Sequence, residues 1–227
     1  MKKFPITIVD NFYENPDLVR DYALSLDYNS SIDGRWPGTR TEHLGLINRN
    51  FFQTFTNKLF SLFFDFEKTD LDWQVETSFQ KISPFGKNRD NILNDGWIHH
   101  DSYHFSGIIY LNPDDSLYSG TNIYRLKSGE SADCPQKTKF LHYSGSKNFD
   151  EKEYELEKQY NNDKFEETVV IKNVYNRLVL FEGGVYHGVP TYYTESGESR
   201  LTQVFFVNEL ISSSMFPIVR SKLSNDH

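Results

Sequence analysis

Residues 97–104 read Trp-Ile-His-His-Asp-Ser-Tyr-His, three imidazoles and a carboxylate within eight positions. Such side chains bind divalent transition metals and move protons, so what they do depends on which of them share a face. If the segment is extended, His99 and Asp101 point to one side with Trp97, while Ile98 and His100 point to the other. If it is helical, His100 and His104 meet instead, four residues apart. No helix-start signal precedes the cluster, and the following segment 106–112, SGIIYLN, is strand-like. The extended arrangement is therefore the working one. It delivers one imidazole nitrogen and one carboxylate oxygen to a common point, two of the three ligands of the facial triad of non-haem iron(II).

A third ligand has to come from elsewhere. The other histidines are His43 in an early loop, His142 in a polar stretch, His187, and His227 at the end of the chain. His187 closes LVLFEGGVYH, an apolar strand, a Gly-Gly turn and a short return strand, and such a frame fixes a ligand better than a loop does. Thirteen positions further on, Arg200 opens RLTQVFFV. On a strand, Arg200, Thr202 and Val204 share a face. A guanidinium fork matches a carboxylate, and a hydroxyl two residues along can add a hydrogen bond. Beside a three-ligand iron, that pair would grip the far carboxylate of a dicarboxylic cosubstrate.

The surrounding elements have to bring these residues together. The spacing of Leu18, Val19, Tyr22, Ala23 and Leu26 predicts a helix over 16–27, started by Asn15 as cap, Pro16 and Asp17. Residues 51–64 carry a thick aromatic face and predict a second, core-packing helix. Residues 29–48 are polar and turn-rich. Strands are expected at 5–10, 73–79, 97–101, 106–112, 121–125, 168–172, 176–182, 184–187 and 200–207, separated by turn signals such as Asn112-Pro113-Asp114-Asp115 and Glu182-Gly183-Gly184. Residues 84–95 form a loop. Residues 127–166 are polar and charged, with a helix near 150–160, and read as an insertion between strands because they lack the apolar residues for a core of their own. The expectation is one domain over 1–227, mainly β with supporting α-helices, in which 1–70 provides helical support.

Composition narrows the function classes. The formal charge of −8, with acids spread along the chain, provides no basic phosphate-tracking surface, so nucleic acid is not expected as a partner. Aromatic residues reach 16%, so large rings fill much of the core. Cys134 is the only cysteine, which excludes an internal disulfide and a thiolate metal cluster. No stretch has the roughly 20 apolar residues that span a bilayer, and the N-terminus lacks the apolar run of a signal peptide. The chain reads as a reduced, cytoplasmic protein; its oligomeric state is not legible.

The order His99-x-Asp101, His187, Arg200-x-Thr202 resembles the iron(II)- and 2-oxoglutarate-dependent dioxygenases, closest to the prolyl-4-hydroxylase-like branch. The resemblance is carried further by IIYLN (108–112), by SGT (119–121) where that branch often has Gly-Gly-x-Thr, and by NRLVLFEGGVYHG (176–188). VDNFYENPDLVRDYA and GRWPGTRT near the N-terminus resemble a small phage or bacterial group of such proteins. The separation of His99 from His187 is long for compact members, and the 127–166 insertion accounts for it.

The resemblance implies a double-stranded β-helix, or jelly-roll, with iron(II) held by His99, Asp101 and His187 in its mouth. It implies 2-oxoglutarate bound by Arg200 and Thr202, with Tyr110 either reaching the cosubstrate or simply packed with its hydroxyl on a neighbour. The reaction implied is hydroxylation of a peptidyl or small-molecule C–H bond with release of succinate and CO2; the Asp101 ligand argues against halogenation. The other reading is a non-catalytic jelly-roll binding or structural module with a relict metal site. A cupin-like metalloenzyme without an oxo acid would leave Arg200 and Thr202 unexplained. His100 is expected to be structural and Trp97 to wall the pocket or pack the core. Arg40 is expected either to line the substrate entrance or to hold an acid from a solvated loop.

Overall fold

The computed structural model describes residues 6–113, 118–132 and 136–213. Cys134, His227, Pro5 and the Asp114-Asp115 half of the expected turn lie outside them. Among the described residues, ten strands form two antiparallel sheets. The major sheet contains β1 (Thr7–Val9), β2 (Asn29–Ser30), β3 (Thr39–Arg40), β4 (Leu71–Ile82), β5 (Phe105–Tyr110), β8 (Leu178–Glu182) and β10 (Arg200–Ser212), in the order β1-β8-β5-β10-β4-β3-β2. The minor sheet is β7 (Phe165–Ile171), β6 (Thr121–Leu126) and β9 (Tyr186–Gly188) in that order. Among the described residues the helices are α1 (Pro16–Leu24), α2 (Leu44–Ile47), α3 (Arg49–Ser61), α4 (Lys137–Tyr143) and α5 (Glu151–Asn162), with a single 3-10 turn at Ile92–Asn94.

The register explains why the major sheet has two different faces. Residues directly opposite across an antiparallel pair project to the same side. Thr77, Phe205, Gly107 and Leu180 form one such row, and Phe79, Gln203, Ile109 and Leu178 the next. This face meets α1 and α3 in the main core, where Phe79, Phe205 and Leu180 lie with Phe12, Ala23, Phe55 and Leu59. Each ring buried here contributes on the order of 1.5–3 kcal/mol of transfer free energy. The opposite face carries Arg40, Gln80, Thr202 and Tyr110 in one row and Glu76, Phe206, Ser106 and Phe181 in another. It turns toward the minor sheet, and Tyr110, Val179 and Phe181 pack there against Ile123 and Ile171. Two face-to-face antiparallel sheets braced by helices on one side make this a jelly-roll.

Helix starts follow local chemistry. Asn48 accepts from Phe51 N at 3.0 Å to cap α3, and Asp150 accepts from Glu153 N at 2.9 Å to cap α5. Asn15 occupies the cap position of α1 without a side-chain cap hydrogen bond, so Pro16 and Asp17 provide the start signal there. The 29–48 stretch folds into two short strands and α2, capped by His43 Nδ1, which accepts from Gly45 N at 3.0 Å.

Two expectations need correction. Residues 97–101 do not form a regular strand; a single bridge joins His99 to His187. The reason is a competing partner: on its other side the segment is held by side chains of α5. Asn161 Nδ2 donates to Ile98 O at 2.9 Å, Asn162 Oδ1 accepts from Ile98 N at 3.0 Å, and Asn162 Nδ2 donates to Gly96 O at 3.1 Å. Second, the 127–166 stretch contains α4 as well as the expected helix. It docks as a unit by placing Tyr143 and Tyr154 against Trp97.

Candidate metal and cosubstrate site

His187 lies in β9 and pairs with Ile123 of β6, so the minor sheet fixes its backbone. His99 is bridged to it, with His99 N donating to His187 O at 3.0 Å and His187 N to His99 O at 2.8 Å. Two residues on, Asp101 N donates to Gly183 O at 2.8 Å, which attaches the segment to the Gly-Gly turn. Gly183 is required there: a Cβ would sit 2.0 Å from Tyr103 O. One imidazole therefore arrives on each side of the bridge, and the carboxylate arrives from the turn.

The three ligand atoms all lie within 4.8 Å of one another. His99 Nε2 is 3.8 Å from Asp101 Oδ1, and His187 Nε2 is 3.6 Å from Asp101 Oδ2. Both histidines are oriented by their own backbone. His99 Nδ1 donates to Trp97 O and His187 Nδ1 to Val185 O, each at 2.9 Å. A carbonyl can only accept, so both Nδ1 atoms carry the proton and both Nε2 lone pairs face the common point. Burial, helped by the neighbouring His187 and Lys139, pushes His99 down to about 3, and burial lowers His187 as well. Both rings are thereby kept neutral, the form that ligates. Burial pushes the Asp101 carboxyl up. The His187 and His99 rings, in the protonated form they take only in acid, with the Ser106 hydroxyl and Arg40, outweigh it and bring the carboxyl below its ordinary range. Two neutral imidazoles and one carboxylate suit a borderline divalent metal such as iron(II), and among the described residues no thiolate competes.

A second polar group lies deeper between the sheets. Arg200 and Thr202 are almost fully buried, at 1% and 0% exposure. Arg200 Nε donates to Ser119 O at 2.7 Å, and its Cζ sits 5.4 Å from the Tyr110 ring centre. Its Nη2 and the Thr202 hydroxyl are buried without a hydrogen-bond partner. Unpaired buried donors are costly, and a carboxylate would satisfy both. Tyr110 donates from its hydroxyl to Thr121 Oγ1 at 2.9 Å. The SGT segment thus contributes through the Ser119 carbonyl and the Thr121 hydroxyl.

The remaining histidines are placed elsewhere. His100 and His104 are exposed, the first with its ring against Tyr186, so the helical pairing of the two is absent. His43 Nε2 donates to Val75 O at 3.1 Å. His142 stacks among Phe85, Phe149 and Tyr154. Trp97 packs the insertion at 1% exposure, which favours the core reading, while its carbonyl orients His99. Sequence reasoning missed Lys139, Ser106 and the Asn161-Asn162 pair; no motif marks them.

The fold is that of the 2-oxoglutarate/iron(II) oxygenases, mainly β with a jelly-roll core. HygX from Streptomyces hygroscopicus, crystallised with nickel and 2-oxoglutarate, is 12% identical with a TM-score of 0.53, over 89% of this chain and 82% of that one. HygX with iron bound is 11% identical with a TM-score of 0.51, over 89% and 81%. A prolyl-4-hydroxylase from Pseudomonas putida is 15% identical over 90% and 92%, with a TM-score of 0.42. The chain belongs to a family of unknown function, DUF6445, whose model matches residues 1–190. No curated protein matches it by sequence.

Proposed function

We propose that the protein is an iron(II)- and 2-oxoglutarate-dependent dioxygenase, acting as a hydroxylase of a peptidyl or small-molecule C–H bond. His99, Asp101 and His187 would hold the metal, and Arg200 with Thr202 would bind the distal carboxylate of the cosubstrate. The observation that carries this reading is the presence of two polar groups that each lack a partner of their own kind. Two imidazoles with free Nε2 atoms and a carboxylate converge, and Arg200 Nη2 and the Thr202 hydroxyl, buried without partners, lie on one face of β10. HygX, crystallised with 2-oxoglutarate, is an instance of this fold holding that cosubstrate.

When bound, the metal and 2-oxoglutarate would supply oxidative decarboxylation coupled to dioxygen activation, with succinate and CO2 as products. The protein's own residues do the positioning. His99, Asp101 and His187 would hold the metal through three protein atoms only, so exchangeable ligands could also bind it. Arg200 and Thr202 set the depth of the cosubstrate, and Tyr110 lines that pocket while its ring braces the guanidinium. Val179, Phe181 and Ile123 keep the space between the sheets dry, which strengthens the charge pairing at Arg200.

Anaerobic addition of iron(II) and then 2-oxoglutarate tests the reading. A visible metal-to-ligand charge-transfer band is expected, followed by succinate release on admission of oxygen. Metal binding with no band and no succinate would identify a jelly-roll module that binds metal alone.

A further inference from the structure

Arg40 is half-buried in β3, and its buried Nε has no hydrogen-bond partner. Its row in the major sheet runs Arg40, Gln80, Thr202, Tyr110, so it projects from the face that carries the cosubstrate residues. Its Cζ lies 4.7 Å from the Trp36 ring centre and 5.5 Å from that of Phe206. Phe206 lies opposite Ser106, whose hydroxyl is a neighbour of Asp101. Arg40 is thus on the triad side of the site. Its Nε is buried with no hydrogen-bond partner, as is Nε1 of the adjacent Trp36. Among the described residues no acid forms an ion pair with it, although Asp101 attracts it from across the site. Burial lowers its pKa to about 10, which leaves it charged at neutral pH.

A second cation comes from the insertion. Lys139 of α4 is 7% exposed, with its Nζ bonded to Gln136 Oε1 at 3.2 Å and 6.0 Å from the Trp97 ring centre. Its charge is felt by His99, His187 and Asp101. The loop before β3 and helix α4 meet at Gly34, where φ is +69° and a Cβ would lie 2.0 Å from Phe140 O. These two segments bring positive charge to the rim of a site in a chain of formal charge −8. Two cations beside a metal are costly unless something negative arrives. The cosubstrate's far carboxylate already has Arg200, and the Asp101 oxygens face the two imidazoles.

We propose that Arg40, backed by Lys139, receives a carboxylate on the primary substrate, whose apolar body lies along Trp36 and Phe206. A guanidinium fork with an indole N–H beside it suits a planar carboxylate. Tyr103, its ring centre 4.6 Å from that of Phe206, extends the apolar wall. The substrate class is therefore a small acid with an aromatic or aliphatic body. The word substrate rests on the dioxygenase reading; the carboxylate site does not.

The test uses the full chain and three probe acids, benzoate, hippurate and indole-3-acetate, each against its neutral amide. Binding is followed by calorimetry and by the fluorescence of Trp36, with W36F as the control for signal origin. At least one acid is expected to bind about tenfold or more tighter than its amide, a preference lost in R40Q and partly kept in R40K. The affinity for 2-oxoglutarate should be unchanged in both variants. Equal binding of acid and amide, no acid binding at all, or an undiminished preference in folded R40Q overturns the proposal. So does a loss of 2-oxoglutarate binding in R40Q, which would give Arg40 to the cosubstrate. If the charge-transfer band never forms but the acid preference depends on Arg40, the dioxygenase reading falls and the carboxylate site stands.

Discussion

His187 sits in β9 with β6 hydrogen-bonded on one side, whereas His99 sits in a segment with one bridge to His187, single backbone bonds from Gly96 to Val189 and from Asp101 to Gly183, and side chains of α5 on its other side. Both rings are aimed by the same local device, a carbonyl two residues upstream that accepts from Nδ1. The difference lies in what holds the backbone. A ladder fixes β9 through bonds that repeat along the strand, so no single side chain matters much to it. The 96–98 segment has one backbone bond, from Gly96 N to Val189 O, and otherwise leans on Asn161 and Asn162, two side chains 63 and 64 residues from Ile98 in sequence. The sheet half of the site is robust, and the helix-supported half can be loosened without touching a ligand.

The largest effect is expected where the two halves meet. Asp101→Ala should reduce metal affinity by more than about 100-fold, since even outer partners of ligands cost about 10–100-fold; anaerobic titration with iron(II) or manganese(II) measures it. Arg200→Ala should weaken 2-oxoglutarate by about 10–100-fold, the worth of a hydrogen bond to a charged group, while metal affinity stays within about twofold. Equal loss of both would contradict the roles assigned here.

The comparison is sharpened by the helix-supported half. The double substitution of Asn161 and Asn162 by Ala should lower metal affinity by about tenfold, like the loss of an outer partner, with backbone amide exchange rising at residues 96–99 and not at β9. Uniform exchange across both segments would show that the two supports are equivalent. Thr202→Val, which keeps the shape on the sheet side, should weaken 2-oxoglutarate by only about 2–10-fold.

The smallest effect concerns the docking of the insertion. Burial lowers His142 to about 4 among Phe85, Phe149 and Tyr154. Between about 4 and the ordinary histidine value near 6.5, the unfolded chain binds the extra proton and the folded one does not. Stability therefore falls as the pH drops through that window. His142→Phe should flatten part of this slope, measured as Tm against pH; half-buried His99 and buried His187 contribute to it with the same sign. An unchanged slope would show that His142 is solvated.

Much of the site was legible because strand alternation and short spacings encode it. Arg200 and Thr202 share a face by period two, and β10 is a regular strand that obeys it. His187 was legible from its apolar frame. His99 and Asp101 converge even though 97–101 is not a strand, because the bridge at His99 and the Asp101–Gly183 bond keep the local backbone extended. The strand itself was misjudged, since nothing near residue 97 shows that the amides of a distant helix will occupy its backbone. Arg40 illustrates the other limit: its loop position favoured a solvated arginine holding an acid over one at the entrance, and only the register through Gln80 to Thr202 puts it on the site's face.

By itself the sequence determined the chemistry: which atoms can ligate, which fork can meet a carboxylate, and a mainly β fold to carry them, because residue type and period are local properties. The tertiary structure decided the company these groups keep. That an insertion helix would clamp the segment leading to His99, and that Arg40 and Lys139 would flank the triad, depends on contacts between elements far apart along the chain, where sheet register and packing carry information that no local pattern holds.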